Sequence, residues 1–254
     1  MSSTKPAKAL RLQLRLLEKK QHIATDVMSF KFARTGNDSQ YLDYKAGQYC
    51  IVDLGTKRDP EGPVRSFTMA SSPTENDSIL ITTRIRDTLF KKTLEALDTD
   101  HDVRISAPFG RFVFHEDNSK PAVFLSGGIG VTPFRSMIKY ATDSKLPLNI
   151  TMFDANRNQD NIIFKDEFDG WLKLNQNLRI IYTISNTNSL GDWKGETGYI
   201  DKTMVCKYLD SNQIRNGMFY ICGPPTMLAA MKRLLVDDLQ VSDERIKVEE
   251  FLGY

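Results

Sequence analysis

Cysteine is scarce in this chain. Cys50, Cys206 and Cys222 are scattered over 254 residues. An odd number so widely spaced excludes a disulfide framework, and also an iron–sulfur cluster, which needs thiolates close together. Histidine is equally thin: His22, His101 and His115 are the only three. None pairs with another at metal-ligand spacing, so each reads as a surface or loop residue and no metal site is expected. An excess of charge of one sign is missing too. The 34 basic and 32 acidic residues leave a formal +2, which argues against a nucleic-acid binder. No apolar run approaches the ~18–20 residues of a membrane span. The opening MSSTKPAKALRLQLRLLEKK lacks the apolar core of a secretory signal. Internal repeats and low-complexity tracts are absent. These absences lead to the expectation of a water-soluble, cytoplasmic protein, by default a monomer. A hydrophobic fraction of 41% suits one large domain, or two of about 100–150 residues each.

What is present falls into two halves of different period. ALRLQLRLL (Ala9 to Leu17) alternates Leu with Arg or Gln, which places the leucines on one face of a strand. DVMSFKFAR, GQYCIVDLG, SILITTRIRD and DVRISAPFGRF continue the pattern, separated by the turn-rich RTGNDS, KRDPEGP and PTEND. So many short strands predict a closed or nearly closed antiparallel barrel over residues 8–115. One helical insert interrupts it, FKKTLEALD, with Phe90, Leu94 and Leu97 at helical spacing. Around HEDNSKP (His115 to Pro121) the composition turns polar, and a second domain is expected over 120–254. There PAVFLSGG, LNITMFDA, LRIIYTIS, MFYICGPP and IKVEEF alternate with helical segments. That alternation predicts an α/β domain with a parallel sheet covered on both faces.

LSGGIGVTPFRSM (Leu125 to Met137) sits where the first strand of this second domain meets its first helix. Thr132 is expected at the N-cap and Pro133 at the first helical position. Two readings are open. Gly128 and Gly130 either build an ordinary turn or let backbone N–H groups and a helix N-terminus approach a phosphate.

A second segment, RSFTMASSP (Arg65 to Pro73), is similar to the R-x-[YF]-[ST]-x-x-S signature of the ferredoxin–NADP reductase superfamily, whose barrel binds FAD. In that superfamily a GG-x-G-x-TP turn opens the pyridine-nucleotide domain, C-G-P-x-x-M follows, and E-x-F lies near the C-terminus. The chain has RSFTMAS, GGIGVTP, CGPPTM (Cys222 to Met227) and EEF (Glu249 to Phe251) in that order, so the resemblance spans nearly its whole length.

The resemblance implies roles. Arg65 would grip the FAD pyrophosphate bidentately, next to Ser66, Phe67 would lie against the flavin or its ribityl chain, and Thr68 would hydrogen-bond the flavin N5 edge. Phe67 departs from the Tyr common there. Thr82 and Arg84 match positions along the isoalloxazine edge. Leu89 to Lys92 match the G-x-x-S-x-x-L pyrophosphate loop, with its glycine missing and Lys91 in place of Ser, so Phe90 and Lys91 would adjoin the phosphates. Cys222 would lie by the hydride-donating carbon of the nicotinamide, acting through shape and polarisability. Gly223, Pro224 and Met227 would border the coenzyme, Thr132 would face both nucleotides, and Phe251 would cover the flavin. Glu249 or Glu250 would orient the site. Plain alternatives stay open: a surface ion pair for Arg65, a core aromatic for Phe67, solvated lysines, an inert buried thiol, and simple packing for Phe251.

The implied activity is an FAD-dependent NAD(P)H oxidoreductase, passing hydride to flavin and then electrons to ferredoxin, flavodoxin or an oxygenase or cytochrome component. The rival is a flavin-containing docking or regulatory subunit that does not turn over NAD(P)H. For the coenzyme, Arg157 suits the 2′-phosphate of NADPH and Asp154 the 2′-hydroxyl of NADH. Use of both is expected, leaning to NADPH.

Overall fold

The computed structural model describes residues 9–250, apart from 23–24, 35–41, 57, 76–77 and 189. The chain divides into two compact units, the first ending at Val113 and the second beginning at Phe114.

The first unit is a six-stranded antiparallel sheet curled into a nearly closed barrel. Its strands are β1 (Leu10–Gln21), β2 (Val27–Arg34), β3 (Tyr49–Asp53), β4 (Val64–Thr68), β5 (Ser78–Arg84) and β6 (Asp102–Phe109), with helix α1 (Leu89–Ala96) between the last two. The order is β4-β3-β6-β1-β2-β5. The Leu/Arg alternation of β1 puts Leu12, Leu14 and Leu16 inside, where they meet Phe30, Phe32, Val52, Ile81 and Ile105. Each such burial contributes roughly 1.5–3 kcal/mol. The register of β1 on β2 shifts between Leu16 and Glu18, which leaves Leu17 outside at 48% exposure. The edge strands are stitched just beyond β4: the Ala70 N–H donates to the Leu80 carbonyl at 2.7 Å, and the Leu80 N–H to Ser71 Oγ at 3.1 Å. Helix α1 is capped by Thr88, whose hydroxyl accepts the Lys91 N–H, and it inserts Phe90 and Leu94 into the barrel core.

The second unit is a parallel sheet in the order β10-β9-β8-β7-β11-β12. Its elements run β7 (Ala122–Gly127), α2 (Thr132–Asp143), β8 (Ile150–Asn156), α3 (Lys165–Leu174), β9 (Leu178–Ile184), β10 (Glu196–Thr197), α4 (Lys202–Tyr208), α5 (Ser211–Asn216), β11 (Met218–Gly223), α6 (Pro225–Arg233) and β12 (Ile246–Glu250). Strands β7 and β11 are buried at every position, as befits central strands covered on both faces. Val123, Leu125, Phe153, Phe219 and Ile221 pack toward α4 and α6. On the other face Phe124 stacks on Phe134 of α2 at 4.6 Å and meets Tyr220 edge-on at 5.3 Å.

Two histidines differ from the surface reading. His115 is part-buried: its backbone N–H donates to the Tyr220 hydroxyl at 2.8 Å, and its Nε2 faces the Lys120 carbonyl at 2.8 Å. A carbonyl only accepts, so Nε2 carries the proton and Nδ1 takes the Tyr220 O–H at 2.8 Å. His22 is also part-buried, with Nε2 at 2.8 Å from Ser29 Oγ. Burial holds both rings below the ordinary histidine pKa. Polar flanking sequence hid both contacts, since their partners lie on other strands.

Because Phe124 is sandwiched in this aromatic stack, Phe124→Ala is expected to destabilise the second unit by about 3–5 kcal/mol. Urea unfolding followed by far-ultraviolet circular dichroism checks this, and a shift below 1 kcal/mol, approximately the cost of an exposed-site change, contradicts it.

Candidate functional site

In the barrel, chemistry-bearing side chains gather where β4 and β5 meet α1. Thr68 is buried and its Oγ1 has no hydrogen-bond partner. A buried hydroxyl left unpaired costs stability unless a partner arrives. Phe67 is 8% exposed, with its ring 6.0 Å from that of Phe90 and the Lys91 ammonium 4.5 Å above its face. Lys91 also donates to the Thr83 hydroxyl. No carboxylate neutralises it among the described residues; burial, together with Arg65 and Arg86 nearby, pulls its pKa to about 7.

Arg65, expected at the pyrophosphate, makes contacts with its own turn. Its Nη1 donates to the carbonyls of Gly62 and Val64, each at 2.8 Å. Its Nη2 pairs with Asp59 at 2.8 Å and Glu61 at 2.9 Å. The β3–β4 turn therefore uses both ends of the fork. Asp59, with a side chain 2% exposed, also accepts the Phe90 N–H at 2.8 Å and the Glu61 N–H at 2.9 Å. Burial opposes ionisation, yet the Glu61 N–H, Arg65 and the Phe90 N–H together hold the Asp59 pKa below the usual carboxylate range. Thr82 is buried, with Oγ1 at 2.7 Å from Ser29 Oγ, and that hydroxyl continues to His22. Arg84 pairs with Asp26, and Ser66 is exposed.

In the second unit, two loops meet at the carboxyl edge of the sheet. Gly128 opens a 3₁₀ turn, Gly128–Val131, with φ of +54°, in the left-handed region that favours glycine. Gly130 is held by proximity instead: a Cβ there would lie 2.3 Å from the Cys222 carbonyl oxygen and 2.7 Å from Gly223 Cα. At Gly127 a Cβ would lie 2.3 Å from Met227 Sδ. Pro224 is the N-cap of α6. The expected Thr132 cap is not formed. Because the 3₁₀ turn runs straight into α2, Val131 is the N-cap, Thr132 is the first helical residue, and its hydroxyl donates to the Ile129 carbonyl at 3.1 Å.

Register places Tyr182, Asp154, Ser126, Cys222 and Glu249 side by side across five strands. Cys222 is fully buried, and burial, reinforced by Glu249, drives its thiol pKa well up; the sulfur is a neutral, polarisable contact rather than a nucleophile. Burial likewise lifts Glu249 to about 7. Asp154 is not at a ribose-facing surface. It is fully buried, accepts from Asn156 Nδ2 at 2.8 Å, and is lifted by burial to about 7. Strand β8 is covered on both faces, which buries Asp154, whereas Arg157, one step beyond the strand, is exposed. The Asn156 hydrogen bond tempers the rise at Asp154, and the buried Ser126 hydroxyl has no hydrogen-bond partner among the described residues. Phe251 lies outside the described residues, and Glu250 is exposed.

Sequence reasoning overlooked Asp59, Ser29, Thr83 and Asn156. Only Asp59 left a trace, in the turn-forming KRDPEGP.

Residues 14–114 match the oxidoreductase FAD-binding domain family and residues 124–233 the oxidoreductase NAD-binding domain family. The chain belongs to the ferredoxin–NADP reductase superfamily. Members of its sequence neighbourhood include a subunit of the Na(+)-translocating NADH-quinone reductase of Idiomarina loihiensis, 31% identical over 222 residues covering 81% of this chain and 53% of that one. Its counterpart in Yersinia pestis is 32% identical over 208 residues, covering 76% and 50%. The chain thus spans about half the length of these curated relatives. Among solved structures, the cytochrome b5 reductase domain of Ulva prolifera nitrate reductase shares the fold with a TM-score of 0.79 and 21% identity, over 94% of this chain and 97% of that one. An Amycolatopsis cytochrome P450 reductase does so with 0.79 and 19%, over 96% and 70%. No helix among the described residues is long and apolar enough to cross a membrane.

For this superfamily member, the missing Cβ at Gly130 is what lets the two loops touch. Gly130→Ala is expected to cost ~1–3 kcal/mol by overpacking and to raise the coenzyme Michaelis constant while flavin content stays unchanged. An unaltered Michaelis constant contradicts it. Asp154 makes a separate prediction. Its folded pKa of about 7 lies above the ordinary carboxylate value. The stability it adds is therefore full below about pH 4 and lost as pH rises through about 7. Relative to Asp154→Asn, the wild-type unfolding free energy should fall across that window, and a difference independent of pH overturns the assignment.

Proposed function

We propose that the chain is a flavoprotein reductase that takes hydride from NAD(P)H and delivers electrons to a protein or small-molecule acceptor, with an FAD-binding domain over 8–115 and an NAD(P)-binding domain over 120–254. The observation that carries the reading is the buried Thr68 hydroxyl with no partner, at the end of the strand that bears the flavin signature. When bound, FAD supplies a ring system that accepts hydride and returns electrons one at a time. In the barrel, Thr68 offers its hydroxyl to the flavin, Phe67 and Phe90 give an apolar wall, and Thr82 presents a hydroxyl already ordered by Ser29. At the second site, Gly130 and Gly223 let the two loops pack closely, and the turn opened by Gly128 is proposed to face the coenzyme phosphates. Cys222 offers a neutral sulfur to the nicotinamide, with Glu249 in register beside it.

The acceptor is read from the relatives, whose name makes them NADH-quinone reductase subunits. A protein partner in such a chain of carriers fits, and this chain's acceptor is proposed to be of that electron-transfer class. With Asp154 buried, the exposed Arg157 is proposed to read the coenzyme ribose.

The purified protein is expected to show a flavin spectrum that bleaches anaerobically on addition of NADH or NADPH. Cys222→Ala should keep its flavin while bleaching more slowly, and an unchanged rate would remove the thiol from the site. Arg157→Ala should lower the catalytic efficiency with NADPH relative to NADH. An unaltered ratio excludes Arg157 as the selector.

A further inference from the structure

Three buried oxygens of the second unit have no hydrogen-bond partner among the described residues: Ser126 Oγ on β7, and Asp154 Oδ1 and Asn156 Oδ1 on β8. Ser126 and Asp154 are 0% exposed and Asn156 is 7% exposed. They form one cluster. Ser126 is the register neighbour of Asp154. Asn156, two residues along the same strand, donates from Nδ2 to Asp154 Oδ2 at 2.8 Å. Strand alternation puts all three on the face where Phe124 stacks on Phe134 of α2. A native interior seldom strands even one such group, because water satisfied it before folding.

The polar side chains on the neighbouring strands and covering helices are engaged elsewhere. Tyr182, the register neighbour of Asp154 on β9, donates its hydroxyl to Asp169 of α3 at 3.1 Å, and Lys165 pairs with the same carboxylate. Arg135 of α2 pairs with Glu167 of α3, and the Thr132 hydroxyl donates to the Ile129 carbonyl. Cys222 flanks Ser126 on β11, but its thiol, which burial keeps protonated, is a weak donor. The needs of the cluster are specific. The Asn156 amide nitrogen faces the carboxyl group, so its oxygen requires a donor. Asp154 Oδ1 requires a donor when ionised and gives a proton when neutral, and the Ser126 hydroxyl has a proton to give. Water carries two donors and two acceptors and meets all three needs in either state. A metal cation has no proton to offer, and it would face one carboxyl that burial already lifts to about 7.

We propose that Ser126, Asp154 and Asn156 enclose one water molecule, and that this water ties the carboxyl ends of β7 and β8 together, holding the Gly128 turn and Arg157 in place for the coenzyme. Ser126 lies two residues before Gly128 and Asn156 one before Arg157, so the tie acts on both loops at their roots. The three side chains are positioning residues that touch no ligand themselves. The positioning role rests on the reading that NAD(P)H binds this edge of the sheet, whereas the water site stands on the buried oxygens alone.

High-resolution crystallography of the wild-type protein, with rubidium as the only monovalent metal cation, reads the site directly. One density peak is expected about 3 Å from each of the three oxygens, with no anomalous rubidium signal. A site without density overturns the proposal, and so does a rubidium signal, which would make the ligand a cation. Steady-state kinetics then tests the positioning role. Ser126→Ala removes one partner of the water and adds no bulk. It is expected to raise the coenzyme Michaelis constant about twofold to tenfold, the effect of losing one hydrogen bond, while kcat and flavin content hold. Ser126→Thr, which restores the hydroxyl, should bring the Michaelis constant back towards the wild-type value. A Ser126→Ala protein with a lower unfolding midpoint and an unchanged Michaelis constant would make the water a stability device and overturn its positioning role. If neither coenzyme reduces the wild-type protein, the functional reading of this unit fails and the positioning role with it, while the water site is still decided by the crystal.

Discussion

The close approach of two glycine-bearing turns underlies the coenzyme half of this molecule. Parallel strands bring all their carboxyl ends to one edge of the sheet, and β7 and β11 are neighbours there. Their loops touch because Gly130 presents no Cβ to the Cys222 carbonyl, and Gly127 none to the Met227 sulfur. That contact leaves Cys222 buried in line with Ser126, Asp154 and Glu249. Burial then fixes the chemistry of the row. The thiol is kept protonated, and two carboxyls are lifted toward neutrality.

The barrel works by a different constraint, a shortage of partners. A well-packed barrel pairs its backbone, so unpaired polar side chains stand out. Thr68 has a hydroxyl without a hydrogen-bond partner among the described residues, and burial with Arg65 and Arg86 nearby pulls the Lys91 pKa to about 7. Both terminal nitrogens of Arg65, the charge most prominent in the sequence, are held by its own turn.

The two-period pattern made the fold legible. Leucine alternation in β1 and the unbroken apolar runs of β7 and β11 have few other solutions. The two-residue β10 and the six-residue α5 left too short a pattern to read. At the site, the Gly128 turn was readable because its positive φ is a local backbone constraint. Side-chain partnerships were not. The Asp59–Phe90 and Ser29–Thr82 contacts join residues far apart in the chain. Asp154 shows the same limit: its type fitted a ribose, but its place in a central strand covered on both faces buries it.

The central claim is that hydride passes from a nicotinamide to a flavin carried by this chain. Anaerobic stopped-flow reduction with NADH or NADPH deuterated at the transferring C4 position tests it most directly. The account predicts slower flavin bleaching with the deuterated coenzyme than with the unlabelled one. A bound flavin that neither coenzyme reduces would contradict it.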